Sequence, residues 1–165
     1  MVLAGLALAL LLICPGSSGA QVKATPADAL EALRDLDAAV SVGVTFQEYM
    51  RRLADTKIRI DRYLRVTRDQ SKVRKLIADA MDSYEFAGAA WNAKISEDWV
   101  SVADDPRSGI CPEIESVISQ ETKKALADEK IIGEKGMRGL VITTRVPLFW
   151  RCASRKASEA AHLAK

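Results

Sequence analysis

The sequence predicts an all-α fold: an up-and-down antiparallel bundle of four to five helices, held by one disulfide and preceded by an export leader. Three observations carry this. Apolar residues recur every three to four positions in five stretches past Gln21, helix-capping residues stand at the head of these stretches, and nothing alternates with period two over a useful length.

The leader comes first. Val2 to Ile13 is a run of apolar residues and glycine, and Cys14-Pro15-Gly16-Ser17-Ser18-Gly19-Ala20 follows as a small-residue turn. A membrane-spanning helix needs roughly 20 apolar residues. The run is shorter, so residues 1–20 read as a cleaved signal peptide with the mature chain starting at Gln21. No Lys or Arg precedes the apolar run, which departs from the usual pattern. Cys14 raises the alternative of a lipid anchor, but Ile13 is bulky where that processing needs a small residue. The expectation is an exported protein, periplasmic or extracellular, with no transmembrane span once the leader is removed. Residues 21–165 then form a single helical-bundle domain, long enough for one real core and too short for two.

Thr25-Pro26 opens the first helix, since a side-chain oxygen caps free N–H groups and Pro lacks the donor that the first position would waste. Leu30, Leu33, Leu36 and Val40 mark its apolar side, and it ends before Gly43. Thr45 and Glu48 have capping-box spacing, so a second helix begins near Phe46, with Phe46, Met50, Leu53, Ile60 and Leu64 as its expected buried stripe. Residues 66–70 break the pattern. Ser71 caps a third helix in which Val73, Ile77, Ala80, Tyr84, Ala87, Trp91 and Ile95 repeat for seven turns, about 37 Å if it runs from 71 to 95.

Residues 96–111 read as a loop, with Trp99 and Val102 plugging an end of the core. Pro112 starts a fourth helix, with Glu113 and Glu115 favouring its N-terminal dipole and Ile114, Val117, Ile118 and Leu126 on its apolar side. Gly133 to Gly139 is expected to be irregular and Leu140 to Thr144 extended. Thr144 is then the cap of a last helix from Val146 to Leu163, with Phe149, Trp150, Ala153 and Ala157 inward.

Charge is uneven along the chain although the net is only +2. Residues 49–75 carry ten basic groups against three acidic ones, and residues 79–121 carry ten acidic groups against Lys94 and Arg107 alone. Such blocks suit neighbouring helices that attract each other; the functional alternative is a basic face for a polyanion. Export and an aromatic content of 5% both argue against nucleic acid.

Cys111 and Cys152 are the two cysteines left after cleavage, and in an oxidising compartment they read as one disulfide. Their spacing matches neither a redox CxxC nor a zinc site. His162, the one histidine, lies near the tail and is poorly placed to act as a base. No CxxCH haem motif and no Glu-x-x-His di-iron motif occurs, and Gly133-Glu134-Lys135-Gly136-Met137-Arg138-Gly139 lacks the ending of a phosphate-binding loop. No catalytic residue, cofactor or metal is therefore expected.

One candidate site remains. Lys57 falls about 20° from Phe46 around the second helix, inside its expected apolar stripe, where a lysine must be paired or reach outward. Asp37 sits likewise between Leu33 and Val40. Asp37, Lys57, Tyr84 and Trp91 could line a polar pocket between helices one, two and three for a small anionic ligand; the plainer reading is that Lys57 follows the seam to water or a carboxylate.

The segments Val42-Gly43-Val44-Thr45-Phe46-Gln47-Glu48-Tyr49 and Ala80-Met81-Asp82-Ser83-Tyr84-Glu85-Phe86-Ala87-Gly88-Ala89-Ala90-Trp91 resemble short exported bacterial helical proteins of unassigned function, over residues 33 to 95. That resemblance implies export and helicity and no particular activity. The functional expectation is a non-enzymatic exported module that binds a protein or envelope component, with a small anionic-ligand carrier as the alternative.

Overall fold

The computed structural model describes residues 24–67, 71–128 and 132–165. The expected leader and Cys14 lie outside the described residues. Within them the chain forms α1 (Pro26–Val42), α2 (Phe46–Val66), α3 (Lys72–Ser96), the single turn α4 (Val100–Ala103), a 3₁₀ turn over Pro106–Ile110, α5 (Pro112–Asp128), α6 (Glu134–Thr144) and α7 (Val146–Leu163). No strand occurs among the described residues.

The ends of the first three helices follow from local chemistry. Thr25 and Asp28 form a reciprocal cap, the Asp28 N–H donating to Thr25 Oγ1 at 3.2 Å and the Thr25 N–H to Asp28 Oδ2 at 2.8 Å. Gly43 stops α1 with φ +90°, which a side chain would resist. Thr45 accepts from the Glu48 N–H at 3.3 Å, but Glu48 turns its carboxylate to Arg51 and Arg52 rather than closing the box. Ser71 accepts from the Arg74 N–H.

α1, α2, α3 and α7 make the expected up-and-down bundle. Arg59 of α2 reaches Glu31 and Asp35 of α1. Tyr49 and Phe46 of α2 meet the far half of α3, at Tyr84 and Trp91, while Arg74 of α3 donates to the carbonyls of Leu64 and Thr67 at the other end. Along α3 and α7 the pairs are Phe86 with Phe149, Ser83 with Cys152, Asp79 with Lys156 and Lys72 with Glu159, an antiparallel register. α3 packs against α1, α2, α4, α6 and α7, and most extensively along α7.

Two clusters fill the interior. One joins α1, α2, the first half of α3 and the end of α7; the other joins the second half of α3 with α5, α6 and the start of α7. Trp91 and Trp150 pack against both. Cys111, just before α5, and Cys152 of α7 are disulfide-bonded with Cα atoms 6.4 Å apart, the pairing read from the sequence.

Several expectations are corrected. Residues 133–144, read as irregular and extended, are the helix α6 and its N-cap Gly133. Gly139 explains the misreading: a β-carbon there would lie 1.9 Å from the Trp99 carbonyl oxygen, so glycine permits close approach of α6 to the start of α4 rather than marking a loop. Thr144 does not cap α7; its hydroxyl donates back to the Val141 carbonyl at 2.7 Å and Arg145 holds the cap position. Residues 96–111 contain α4 and the 3₁₀ turn. Ile95, Met50 and Val117, expected inside, are exposed. In α2 the buried face is Tyr49, Leu53, Thr56, Ile60 and Tyr63, a stripe rotated from the expected one: two tyrosines and a threonine take core positions, while Met50 stays at the rim, its sulfur beside Gly88 of α3. Lys57 therefore lies outside that stripe, and its side chain is 46% exposed.

Candidate functional site

Asp37 and Tyr84 come together as expected. Asp37 stands half-buried on α1 three residues before Val40, so its carboxylate faces the α1–α7 seam. Tyr84, wholly buried on α3, donates its hydroxyl to Asp37 Oδ1 at 2.9 Å, and Ser154 of α7 donates to Oδ2 at 3.0 Å. One carboxylate thus ties three helices, with both oxygens satisfied. Tyr49 donates to the Tyr84 main-chain carbonyl at 2.7 Å. Burial, and then the nearby Asp37 charge, holds the Tyr84 phenol well above its ordinary range; burial does the same to Tyr49. Neither is poised to give up a proton near neutral pH.

Trp91 is joined to this network by packing. Its ring lies edge-on to Phe46 and to Trp150, with centroids 5.5 Å apart in each case, and Tyr49 is tilted against both indoles. Phe46, Tyr49, Trp91 and Trp150 fill the space between α2, α3 and α7, where aromatic edges and faces interlock favourably.

Lys57 does not join the other three. Its ammonium pairs with Glu85 at 2.5 Å and Asp61 at 3.6 Å, and the bond to Glu85 raises its pKa further. Glu85 in turn meets Arg107, which is locked to Asp105. On this side of α3, Asp82 is pushed above the usual carboxylate range by burial first and then by the Glu85 charge. The lysine has followed the seam to a carboxylate.

The concavity lies elsewhere, along the antiparallel seam of α1 and α7. Val40, Ser41 and Asp37 face Pro147, Trp150, Arg151, Ser154 and Arg155 across an open cleft of about 680 Å³. A smaller recess of about 40 Å³, lined by Leu33, Arg34, Asp37, Ser154, Ala157 and Ser158, continues it past the shared Asp37–Ser154 contact. Val40, Pro147 and Trp150 supply apolar wall, and the arginines supply charge. Arg155 is paired with Glu113, but Arg34 and Arg151, both exposed, have no ion-pair partner among the described residues. The sequence had put Trp150 inward on the last helix; what it left unread was the spacing of Trp150-Arg151, Ser154 and Ser158, which places one polar and aromatic edge along α7.

The basic block of residues 49–75 is largely consumed inside the fold. Arg51 and Arg52 pair with Glu48, Lys57 with Glu85, Arg59 with Glu31 and Asp35, Lys72 with Glu159, and Lys75 with Asp79, while Arg74 caps carbonyls. Arg62 and Arg65 alone of its described members lack such a partner.

Cys111, Glu113 and Cys152 lie close enough to hold a metal ion. Their chemistry does not fit one: the sulfurs are bonded to each other and Glu113 is engaged by Arg155. Comparisons with protein-family models, with curated proteins and with solved structures find no match.

Proposed function

We propose that this chain is an exported, non-enzymatic helical module that binds a protein or envelope component through the cleft between α1 and α7. The observation that carries the reading is the cleft itself: an open groove beside Trp150 and Arg151, continued by a recess beside Arg34, with neither arginine in an ion pair among the described residues. Trp and Arg are the side chains on which binding energy concentrates, and a concave seam is where such groups act together.

Export is part of the proposal. The apolar run at Val2–Ile13 and the buried Cys111–Cys152 bond support it, as disulfides persist in oxidising compartments. No helix of the described residues is long and apolar enough to cross a membrane. Binding rather than catalysis is favoured because Asp37 has both oxygens occupied by hydroxyl donors and Tyr84 keeps its proton.

A second reading, a carrier of a small anionic ligand, draws on the same arginines. Its site is then the α1–α7 cleft rather than the seam of helices one to three, where Lys57 stands apart from Asp37 and Tyr84 in its pair with Glu85.

The test uses the chain from Gln21 to Lys165, immobilised and exposed to envelope extract at low salt. Retained material that is lost with Val40→Asp, which places a charge on the cleft wall, and kept with Arg62→Glu, which lies on the α2 face, supports the proposal. Equal retention by both variants, or none by the parent, rejects it.

A further inference from the structure

The dimensions and charges of the α1–α7 cleft define its occupant more closely. Resting on the binding function proposed above, we propose that the cleft takes an extended, acidic, amphipathic peptide segment of a partner protein, with two carboxylates three residues apart meeting Arg34 and Arg151 and an apolar side chain against Trp150.

Length is the first argument. On α7 the lining runs from Pro147 to Ser158. Eleven residues of helix cover about 17 Å, the span of about five extended residues. A small acid of a few atoms covers only part of that distance.

The second is the placement of charge. Arg34 shares its recess with Ala157 and Ser158 of α7, and Arg151 stands seven residues earlier on the same helix. The two guanidinium groups are therefore anchored about 10 Å apart along the groove, one on each wall. In an extended chain, residues three apart are separated by about 10 Å and point to opposite sides. An acidic residue, two intervening residues and a second acidic residue match both the distance and the walls.

The third is what the cleft lacks. Asp37 is the acidic group in the groove, and Tyr84 and Ser154 donate to both its oxygens, which blunts its repulsion of an incoming carboxylate. Beside and beyond Arg151, Val40, Pro147 and Trp150 offer an apolar surface to the side chain next to the second carboxylate. The basic face on α2, which a flat anionic surface would need, is mostly engaged by the fold's own carboxylates, with Arg62 and Arg65 left over. A concave seam with opposed arginines fits a peptide strand better than a lipid surface.

The experiment titrates the residue 21–165 protein, its amides observed by two-dimensional NMR, with three end-blocked pentapeptides: Glu-Leu-Ala-Glu-Leu, its Gln counterpart and its Lys counterpart. The acidic peptide is expected to shift α1 and α7 amides and to bind about tenfold more tightly than the Gln form, the preference of two exposed ion pairs. The Arg34→Glu/Arg151→Glu variant is expected to prefer the Lys peptide. Both arginines are exposed, so folding is checked by circular dichroism; if the double variant is unfolded, Arg151→Gln alone is expected to remove about half of the preference on a logarithmic scale. Equal binding of all three peptides at α1 and α7 overturns the acidic specificity while leaving the binding cleft intact. Shifts confined to other helices, or none, overturn the peptide assignment. Glutarate matching the acidic peptide in affinity overturns it in favour of a small-acid carrier, and binding to vesicles of phosphatidylglycerol and phosphatidylcholine that blocks the peptide overturns it in favour of a lipid surface.

Discussion

Tyr84→Phe isolates the bond that joins three helices of the bundle. Tyr84 is wholly buried, and its hydroxyl donates to Asp37 Oδ1 at 2.9 Å. A hydrogen bond to a charged acceptor contributes about 1.5–3 kcal/mol. Asp37 borders the open cleft and keeps its bond from Ser154, so water can serve the vacated oxygen and the lower end, about 1.5 kcal/mol, is expected. Asp37→Ala is different, because it strands a hydroxyl on a residue with no exposure, and a loss of about 2–3 kcal/mol is expected. In the Asp37→Ala background, Tyr84→Phe then removes an unsatisfied donor and should be nearly neutral. Urea unfolding of the four proteins at pH 7, followed by tryptophan fluorescence with a common slope, gives the coupling. A coupling of about 1.5 kcal/mol supports the reasoning. If Tyr84→Phe costs the same with and without Asp37, to within about 0.5 kcal/mol, the network does not tie the helices energetically.

Alkaline pH should destabilise the fold steeply. Tyr49 and Tyr84 both have folded pKa values raised above the ordinary value by burial, so their contribution is complete below about pH 10 and falls as the unfolded chain begins to ionise. Above that point unfolding free energy should drop by up to about 2.7 kcal/mol per pH unit for the pair, and Tyr84→Phe should halve the slope in urea titrations at pH 10 to 11. Gly139→Ala should cost about 1–3 kcal/mol despite gaining about 1 kcal/mol in helix propensity, since the new methyl meets the Trp99 backbone. Gly109→Ala, with nothing within 4 Å of the new atom, is the control and should stay within about 0.5 kcal/mol in thermal melts. Replacing Cys111 and Cys152 together by serine removes a crosslink over a sequence separation of 41 residues, for which chain entropy gives a loss of about 4 kcal/mol, read as a lower urea midpoint. Lys57→Met should change stability by no more than about 1 kcal/mol, because the side chain is 46% exposed and Glu85 retains Arg107; a larger loss would show that the lysine holds α2 to α3.

Local chemistry made much of the fold legible in the sequence. Periodic leucines and alanines identify α1, α2, α3, α5 and α7, and Thr25, Thr45 and Ser71 mark three helix starts, because caps and amphipathic repeats act within a few residues. The Cys111–Cys152 pair followed from counting. Asp37 and Tyr84 were legible as polar groups on apolar helix faces, though as the lining of a ligand pocket and not as partners of each other.

Tertiary structure decided the rest. Which stripe of α2 is buried depends on where α3 lies, and a phenol such as Tyr49 or Tyr63 counts as core only once a buried acceptor or ring is there to receive it. That Lys57 follows the seam to a carboxylate was legible; that the carboxylate is Glu85 was decided by that rotation. The glycine at position 139 of α6 is needed because Trp99 approaches it closely, a contact from 40 residues away that no local propensity encodes. The cleft lies between α1 and α7, helices more than 100 residues apart in sequence. Its existence depends on how far apart two helices settle, and that distance is a property of packing, absent from either helix alone.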